Sequence, residues 1–485
     1  MKRENSSELR IAFAGHWKST HPGLQHTLIG DLTLSNQFEA LVGFNENGVY
    51  VPLAAKQWSI SSDYRIFRFE IDTNKRFSDG VSLSAHHFKE SWETSLRIQP
   101  LSANSSLLDV LYKVEGFPDF KRDGVLSGVR VIDNATLEIR FSSPFRMALE
   151  HLSGNRFSAY RLVDGSYLGT GAYVIKEIGP DDLLLTPNPY FLNASRRAIH
   201  LKAMKMADCL KSLEDGSLDV IAFTMGSTLP REFAENTKYS LLIGQDALHR
   251  SLYTNNQRNR LFENRKYRRA LQYLVFEYLK KNPDALGNRA YTSLDPQVYL
   301  PIQAGRLSES EVEEIIRQGK PYVDDFLSAT RKNPLIVIET SESPLRPMLS
   351  TIGISISPKS RFADKSAIID IIYEGEEPDI LFGSFGVASG DPDGIYHKLG
   401  KSGAIASPMT QSDLVAQMLE HGRRITEKEQ IDPFYKTVSR AILSEVPIVH
   451  LGFSKAVAIY RNDKVRVQEK ILRRNEGHLH VFEAN

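Results

Sequence analysis

Histidine spacing is the first feature of this 485-residue chain that could indicate metal chemistry. His16, His21 and His26 are five residues apart, and His86 and His87 are adjacent. A zinc pair on one helix face needs a spacing of four, and each ligand also needs a partner on its other ring nitrogen. Neither group has the helical spacing. We therefore expect solvated or core histidines, with no metal site and no cofactor.

Motifs for nucleophilic catalysis and phosphate binding are absent from the sequence. It has no Gly-x-Ser-x-Gly elbow and no Walker loop, and Gly169-Thr170-Gly171 lacks the third glycine of a dinucleotide loop. Asp391-Pro392-Asp393-Gly394 is too short for a calcium loop and has no distal glutamate, so a structural turn is expected there. We do not expect an enzyme. A hydrolase whose nucleophile and base meet only in the folded chain remains an alternative.

The near-zero net charge argues against partners that bind through the electrostatic field of a strongly charged protein. Lys and Arg total 60 and Asp and Glu total 59, which argues against nucleic acid and acidic membrane surfaces. No apolar run approaches the roughly 18–20 residues of a membrane helix. Cys209 is the single cysteine, which excludes an intramolecular disulfide bond and a thiolate metal cluster.

The first eight residues bear on localisation. They are basic at first, but no apolar core follows, so they do not form a secretory signal. Either an export signal was removed and a start methionine added, or the protein is cytosolic. The first alternative predicts a periplasmic or lipid-anchored extracytoplasmic protein.

The elements that would position functional residues are clearest between residues 37 and 93. Residues 65–71 alternate polar and apolar side chains, which is typical of a half-buried strand. Residues 77–80 have turn chemistry, and Ser84 is placed to cap a helix over residues 85–96. The apolar face of that helix would consist of Phe88, Trp92 and Leu96.

Elsewhere in the chain, short apolar runs alternate with helical patterns. This alternation predicts a parallel or mixed sheet. We expect a helix over residues 32–42, a hairpin over residues 127–141, and strands at residues 9–14, 199–204, 218–222, 335–338, 352–356 and 378–382.

In this order the motifs resemble those of the family 5 extracellular solute-binding proteins, the oligopeptide- and dipeptide-receptor family of bacterial ABC importers. The resemblance covers roughly residues 9 to 462 and is weakest between residues 275 and 375. Its main motifs are Glu39-Ala40-Leu41, Pro52-Leu53-Ala54, Trp58, Phe67-Arg68-Phe69, Phe77-Ser78-Asp79-Gly80, Ser84-Ala85, Gly169-Thr170-Gly171-Ala172-Tyr173, Asn188-Pro189-Tyr190-Phe191 and Asp391-Pro392-Asp393.

The resemblance implies an α/β fold of the two-lobed periplasmic-binding-protein type (class II, cluster C) with a hinged interlobe cleft. Residues 1–43, 157–245 and 453–485 would form lobe I, residues 44–156 an inserted subdomain of that lobe, and residues 246–452 lobe II. It also implies a function. The protein would be a monomer that captures a small peptide-like or other ligand and delivers it to ABC permease subunits. A ligand-sensing receptor that feeds a chemoreceptor or kinase is the alternative of the same fold.

The resemblance further implies which residues meet the ligand. In peptide receptors of this family an acid that pairs with the ligand's ammonium group aligns with Ala388, a second acid aligns with His26, and a carboxylate-reading arginine aligns with Phe382. Without these charges the site would favour a neutral, apolar or differently charged ligand, such as an oligosaccharide, a modified peptide or a chelate. Ordinary core packing is the alternative role for Phe382 and Phe385. The full predicted set is His26, Thr27, Leu28, Tyr253, Asn255, Phe382, Phe385, Gly386, Val387 and Ala388.

Overall fold

A computed structural model gives the fold of the chain, which consists of two compact units. The first comprises Met1–Thr224, Pro230–Gln245 and Val457–Asn485, and the second comprises Met225–Leu229 and Asp246–Ala456. The finer division, with residues 44–156 as an inserted subdomain, stays a prediction. The structure describes residues 8–17, 19–24, 28–45, 48–98, 106–192, 197–225, 229–230, 233, 235–256, 260–285, 287, 290–339, 345–363, 378–386, 390–400, 410, 412–467 and 479–484.

Strands and helices alternate along most of the described chain. The strands are β1 (Leu9–Ala14), β2 (Val42–Phe44), β3 (Tyr50–Pro52), β4 (Ala55–Ile60), β5 (Ile66–Ile71), β6 (Val129–Asp133), β7 (Thr136–Arg140), β8 (Arg161–Val163), β9 (Ser166–Leu168), β10 (Tyr173–Gly179), β11 (Asp182–Pro187), β12 (Ile199–Met204), β13 (Val220–Met225), β14 (Tyr239–Thr254), β15 (Thr292–Leu294), β16 (Val337–Glu339), β17 (Arg361–Phe362), β18 (Ile380–Gly386), β19 (Ile448–Arg461), β20 (Val465–Val467) and β21 (Phe482–Ala484). The helices are α1 (Leu28–Leu34), α2 (Ala85–Ile98), α3 (Ser106–Leu111), α4 (Phe117–Asp123), α5 (Ala148–Leu152), α6 (Met206–Glu214), α7 (Arg260–Glu263), α8 (Arg265–Lys281), α9 (Glu309–Arg317), α10 (Val323–Lys332), α11 (Leu345–Thr351), α12 (Tyr396–Leu399), α13 (Asp413–Gly422) and α14 (Lys428–Glu445).

The first unit contains a sheet segment of order β10-β11-β12-β1-β13. β1 pairs in parallel with β12 and β13, so that Ile11 lies opposite Leu201 on one side and Val220 on the other. Arg10 in the same strand is paired with Asp219 at 2.6 Å, which fixes the entry to β13. The predicted strand over residues 9–14 is therefore confirmed, and it lies between β12 and β13.

A second sheet of the first unit is antiparallel, with order β4-β5-β7-β6. Period-2 alternation buries Phe67 and Phe69 in β5, while Arg68 between them reaches the carboxylate of Glu138. Helix α2 packs against β6 and β7. Its buried face consists of the three predicted side chains, Phe88, Trp92 and Leu96.

The start of α2 differs from the predicted cap in one detail. The backbone N–H of Ser84 donates to Nδ1 of His87 at 3.1 Å, and the Ser84 hydroxyl lies 2.9 Å from the same atom. The residue three positions into the helix thus reaches back to the cap residue, as the glutamate of a capping box does.

The second unit contains a sheet segment of order β19-β14-β18-β16-β17, with β15 paired to β19. β14 and β18 are antiparallel, and β16 runs parallel to β18. Helix α8 packs against α9, α10 and α14. Its buried residues join a core with strand side chains such as Leu252, Val337 and Phe382.

The predicted helix over residues 32–42 is wrong in its extent, because α1 ends at Leu34 and β2 begins at Val42. The Ser35 hydroxyl and the Asn36 amide both donate to the carbonyl oxygen of Leu32, at 2.8 and 3.0 Å. These side chains occupy the carbonyl that a longer helix would use, and such competition ends helices.

The predicted strand over residues 352–356 is also wrong. The N–H of Ile352, just after α11, donates to the carbonyl oxygen of Met348. Gly353 follows with a φ of +86°. This left-handed turn ends the helix. An isolated parallel bridge pairs Ile356 with Leu335, and both residues lie outside the named strands.

Within the described part of the chain, no helix combines the length and the apolar character needed to cross a membrane.

Candidate functional site

The predicted ligand residues are only partly within the described chain. His26, Thr27, Val387 and Ala388 lie outside the described residues. The backbone of Leu28 begins α1, and the backbones of Phe385 and Gly386 form the end of β18. The position on which the missing ammonium anchor depends, Ala388, therefore stays a sequence-based prediction.

Tyr253, Asn255 and Phe382 lie on adjacent antiparallel chain segments in the second unit. Tyr253 is opposite Leu381, and the N–H of Asn255 donates to the carbonyl oxygen of Asp379 at 2.9 Å. All three predicted residues are buried. The strand pairing therefore brings them within one small region of the sheet.

The sheet places Tyr253 and Phe382 on opposite faces. Leu252 is opposite Phe382, and successive strand residues point to alternate faces. Tyr253 packs in a cluster with Leu381 and Tyr435, whereas Phe382 packs with Leu252. The predicted role of Phe382 as a ligand wall stays a prediction, and its observed packing is that of a core residue.

Arg250 is a potential ligand residue that the sequence reasoning missed. It lies in β14, two positions before Leu252 and opposite Ser384, so it shares the sheet face of Phe382. Its guanidinium carbon is 5.5 Å from the centre of the Phe382 ring, and only 4% of the residue is exposed. Burial lowers the pKa of Arg250 to about 10.

The signal for Arg250 was present in the sequence. In residues 248–254, the polar run His249-Arg250-Ser251 separates Leu248 from Leu252 and Tyr253. Charged side chains are rarely buried in strands without a structural or functional reason. The structure thus places a cation beside Phe382, the position at which we expect the family's carboxylate-reading arginine from the sequence.

A histidine pair occupies the other face of β14. The rings of His249 and His450 have centroids 5.0 Å apart, and Phe453 packs against both. The Ser251 hydroxyl lies 3.0 Å from Nδ1 of His450. Burial, followed by the charges of Lys398 and Arg306, holds the pKa of His450 well below its usual value, so its imidazole is neutral at pH 7.

The contact between Ser251 and His450 has the atoms of a nucleophile–base pair, and the hydrolase alternative must be tested against it. A catalytic pair needs a third group that orients the base through its other ring nitrogen. Within the described residues, Nε2 of His450 has no hydrogen-bond partner. Ser251 is fully buried. This contact by itself therefore does not build a triad.

The acidic turn after β18 is held by internal contacts. Asp391 accepts a hydrogen bond from the N–H of Asp393 at 2.9 Å. Asp393 is fully buried and pairs with Arg423 at 3.0 Å, and it accepts from the Tyr435 hydroxyl at 3.1 Å. Both Asp393 oxygens thus have protein partners. Among the residues that the structure describes, no three metal-ligating side chains converge.

Comparison with known proteins shows which family the chain resembles. The sequence profile of the bacterial extracellular solute-binding proteins, family 5 (middle region), matches residues 49–276, just under half of the chain. The chain is similar to this family over that range. It is 28% identical over 175 residues to the periplasmic murein peptide-binding protein MppA of Escherichia coli, a match that covers 33% of this chain and 32% of that protein. The matched segment thus spans about a third of the length of this curated relative.

Solved structures of family 5 proteins show the same two-lobed α/β fold over nearly the whole chain. DppA of Helicobacter pylori, in complex with the peptide STSA, superposes with a TM-score of 0.76 at 16% identity and covers 98% of each chain. NikZ of Campylobacter jejuni, in complex with Ni(L-His), superposes with a TM-score of 0.76 at 17% identity and covers 99% of this chain and 100% of NikZ. The predicted fold class is confirmed.

Proposed function

We propose that the protein is the solute-binding receptor of a bacterial ABC importer, which captures a small ligand outside the cytoplasm and delivers it to a membrane permease. The profile match to family 5 over residues 49–276 carries the proposal, and the fold shared with solved binding proteins over 98–99% of the chain supports it. Those proteins were solved with a peptide and with a nickel–histidine complex. A peptide-like or chelate ligand is therefore the class to test first.

The chemistry of the second unit narrows the ligand further. Arg250 presents a buried cation on the face of β14 that also carries Phe382. A guanidinium in a low-dielectric setting binds a carboxylate strongly through paired N–H donors. Since an acid for a free ammonium group is absent from the aligned position Ala388, we propose a ligand with an anionic group and no free α-ammonium group.

Native mass spectrometry of the gently purified protein tests the capture of a ligand. The expected result is a co-purifying small molecule that leaves on denaturation and rebinds with a stoichiometry of one. Loss of solute uptake in a deletion strain then separates a transport receptor from a sensor, because a sensor would leave uptake unchanged. Turnover of the bound molecule by the purified protein would instead favour the hydrolase.

An Arg250→Met variant tests the proposed anion contact. Calorimetric titration of the identified ligand should show an affinity at least about tenfold weaker, because a charge-assisted hydrogen bond contributes about 1.5–3 kcal/mol. Arg331→Met, an exposed change on α10 of the same unit, is the control and should bind as the unmodified protein does. Unchanged affinity in a folded Arg250→Met protein would contradict the assignment of Arg250.

A further inference from the structure

A pocket of about 310 Å³ lies wholly within the second unit, between α8, α9 and the first residues of β19. Its walls are mainly apolar and include Val275 and Leu279 of α8 and Val312 and Ile316 of α9. The volume is at the small end of the range for ligand sites, about 300–1,000 Å³. None of the predicted solute residues lines it.

Two buried polar atoms of the pocket lining have no hydrogen-bond partner among the described residues. They are Oε1 of Gln272 and Nε2 of His450. Gln272 is 4% exposed and His450 is 5% exposed. Buried polar groups in native proteins are nearly always paired, so an orphan pair that lines one pocket points to an absent partner.

The donor and acceptor roles of these atoms are complementary. Oε1 of Gln272 accepts a hydrogen bond. His450 is neutral, and its Nδ1 lies 3.0 Å from the Ser251 hydroxyl. When that hydroxyl donates to Nδ1, the ring proton is on Nε2, which then donates. A ligand that carries both an N–H and a carbonyl has the donor that Gln272 lacks and the acceptor that His450 lacks.

The charges around the pocket disfavour an anionic ligand. Lys280 pairs with Glu313 at 2.6 Å, and Arg306 pairs with Asp295 at 2.8 Å. These two ion pairs engage both cationic lining residues, and the fifth charged lining residue, Glu309, is acidic. An anionic ligand would lose its hydration without a free countercharge among the lining residues, and such burial is costly.

We propose that this pocket is a second binding site, separate from the solute site, for a small neutral and mainly apolar molecule that carries an amide or a similar donor–acceptor group. The amide N–H would donate to Gln272, and its carbonyl would accept from His450. The apolar remainder would pack against the side chains of α8 and α9. This inference does not depend on the proposed transport function.

Benzamide is the probe for this site, and toluene is its matched control without the amide. Titration followed by ligand-observed NMR should show saturable binding of benzamide to the full-length protein. Gln272→Leu should weaken benzamide binding at least about fivefold, the loss of roughly one hydrogen bond, and leave toluene binding unchanged or tighter. Equal effects of Gln272→Leu on both probes, or no benzamide binding up to its solubility limit, would overturn the proposal.

A pocket-filling variant and a crystal soak locate the probe. Val312→Phe should abolish the binding of both probes while circular dichroism and the unfolding midpoint show a folded protein. If Val312→Phe does not fold, Ile316→Phe is the second pocket-filling variant, because Ile316 also lines the pocket. The anomalous signal of the bromine in 3-bromobenzamide should lie among the apolar side chains of α8 and α9, with the amide density between Gln272 and His450, and a signal outside this pocket would refute the assignment.

Discussion

The antiparallel sheet of the first unit and the acidic turn of the second unit, residues 391–394, hold buried charge differently. Glu138 in the sheet is 1% exposed, but its partners Arg68 and Arg140 keep 56% and 32% of their side chains in water. In the turn, Asp393 is buried and its partner Arg423 is largely shielded, with 0% and 11% of the side chains exposed. When the partner of a buried charge remains hydrated, the ion pair is part of the protein surface. A pair withdrawn from water on both sides is rarer and commits a region to one arrangement.

The largest expected effect comes from breaking the Asp393–Arg423 pair. Asp393→Asn leaves Arg423 buried without its countercharge and should lower the free energy of unfolding by about 3–5 kcal/mol. Glu138→Gln is the matched change in the first unit and should cost about 1–2 kcal/mol, because its arginines can turn to water. Urea unfolding of both variants measures the difference. Equal losses would mean that the two regions do not differ in this way.

A pH-dependent effect of intermediate size is expected from His21 in the first unit. Burial lowers the pKa of His21 to about 4 from its usual 6.5, and neither ring nitrogen has a hydrogen-bond partner among the described residues. The unfolded state therefore binds a proton that the folded state does not between pH 6.5 and about 4. This residue makes the protein lose stability as the pH falls through that window, by up to about 1.4 kcal/mol per pH unit.

His21→Phe isolates this contribution, since His21 packs edge-on against Tyr160 and Tyr167, as a phenylalanine could. Urea unfolding between pH 7 and pH 4 should show a shallower loss of stability in the variant. The exposed change His16→Phe is the control and should keep the slope of the unmodified protein. An unchanged slope in His21→Phe would contradict the assigned pKa.

The smallest effect is expected at the helix caps. Asn264 accepts a hydrogen bond from the N–H of Lys266 at 3.0 Å and caps the start of α8. This helix forms one wall of the pocket between α8 and α9. Asn264→Ala should lower the free energy of unfolding by about 1 kcal/mol. Thermal unfolding measures the loss, with Asn264→Asp as the control that keeps a cap acceptor. A loss in the aspartate variant equal to that in alanine would exclude the cap as its cause.

Regular patterns in the sequence were enough to predict several secondary-structure elements of the first unit. The alternation in β5 and the spacing of Phe88, Trp92 and Leu96 predicted elements that the structure confirms, because burial there follows local periodicity. The helix predicted over residues 32–42 failed because Ser35 and Asn36 form local hydrogen bonds that no periodicity reports.

The site was less predictable for a different reason. Arg250 has a charged side chain, but tertiary contacts bury it. Its neighbour Phe382 lies in a strand more than a hundred positions away in the sequence. Only the register between β14 and β18 brings them together. Sequence motifs identified the family, but the pairing of a cation with an aromatic ring depends on tertiary contacts. The choice of ligand residues around Ala388 remains a prediction.

The contacts on either side of residues 387–389 have an evolutionary consequence. The antiparallel ladder with β14 holds the chain up to Gly386, and the Asp393–Arg423 pair holds it again just after Asp391. Each flank is therefore secured by its own partners. Under the proposed function, a substitution at Val387 or Ala388 would change predicted ligand contacts while these flanking partners are inherited unchanged.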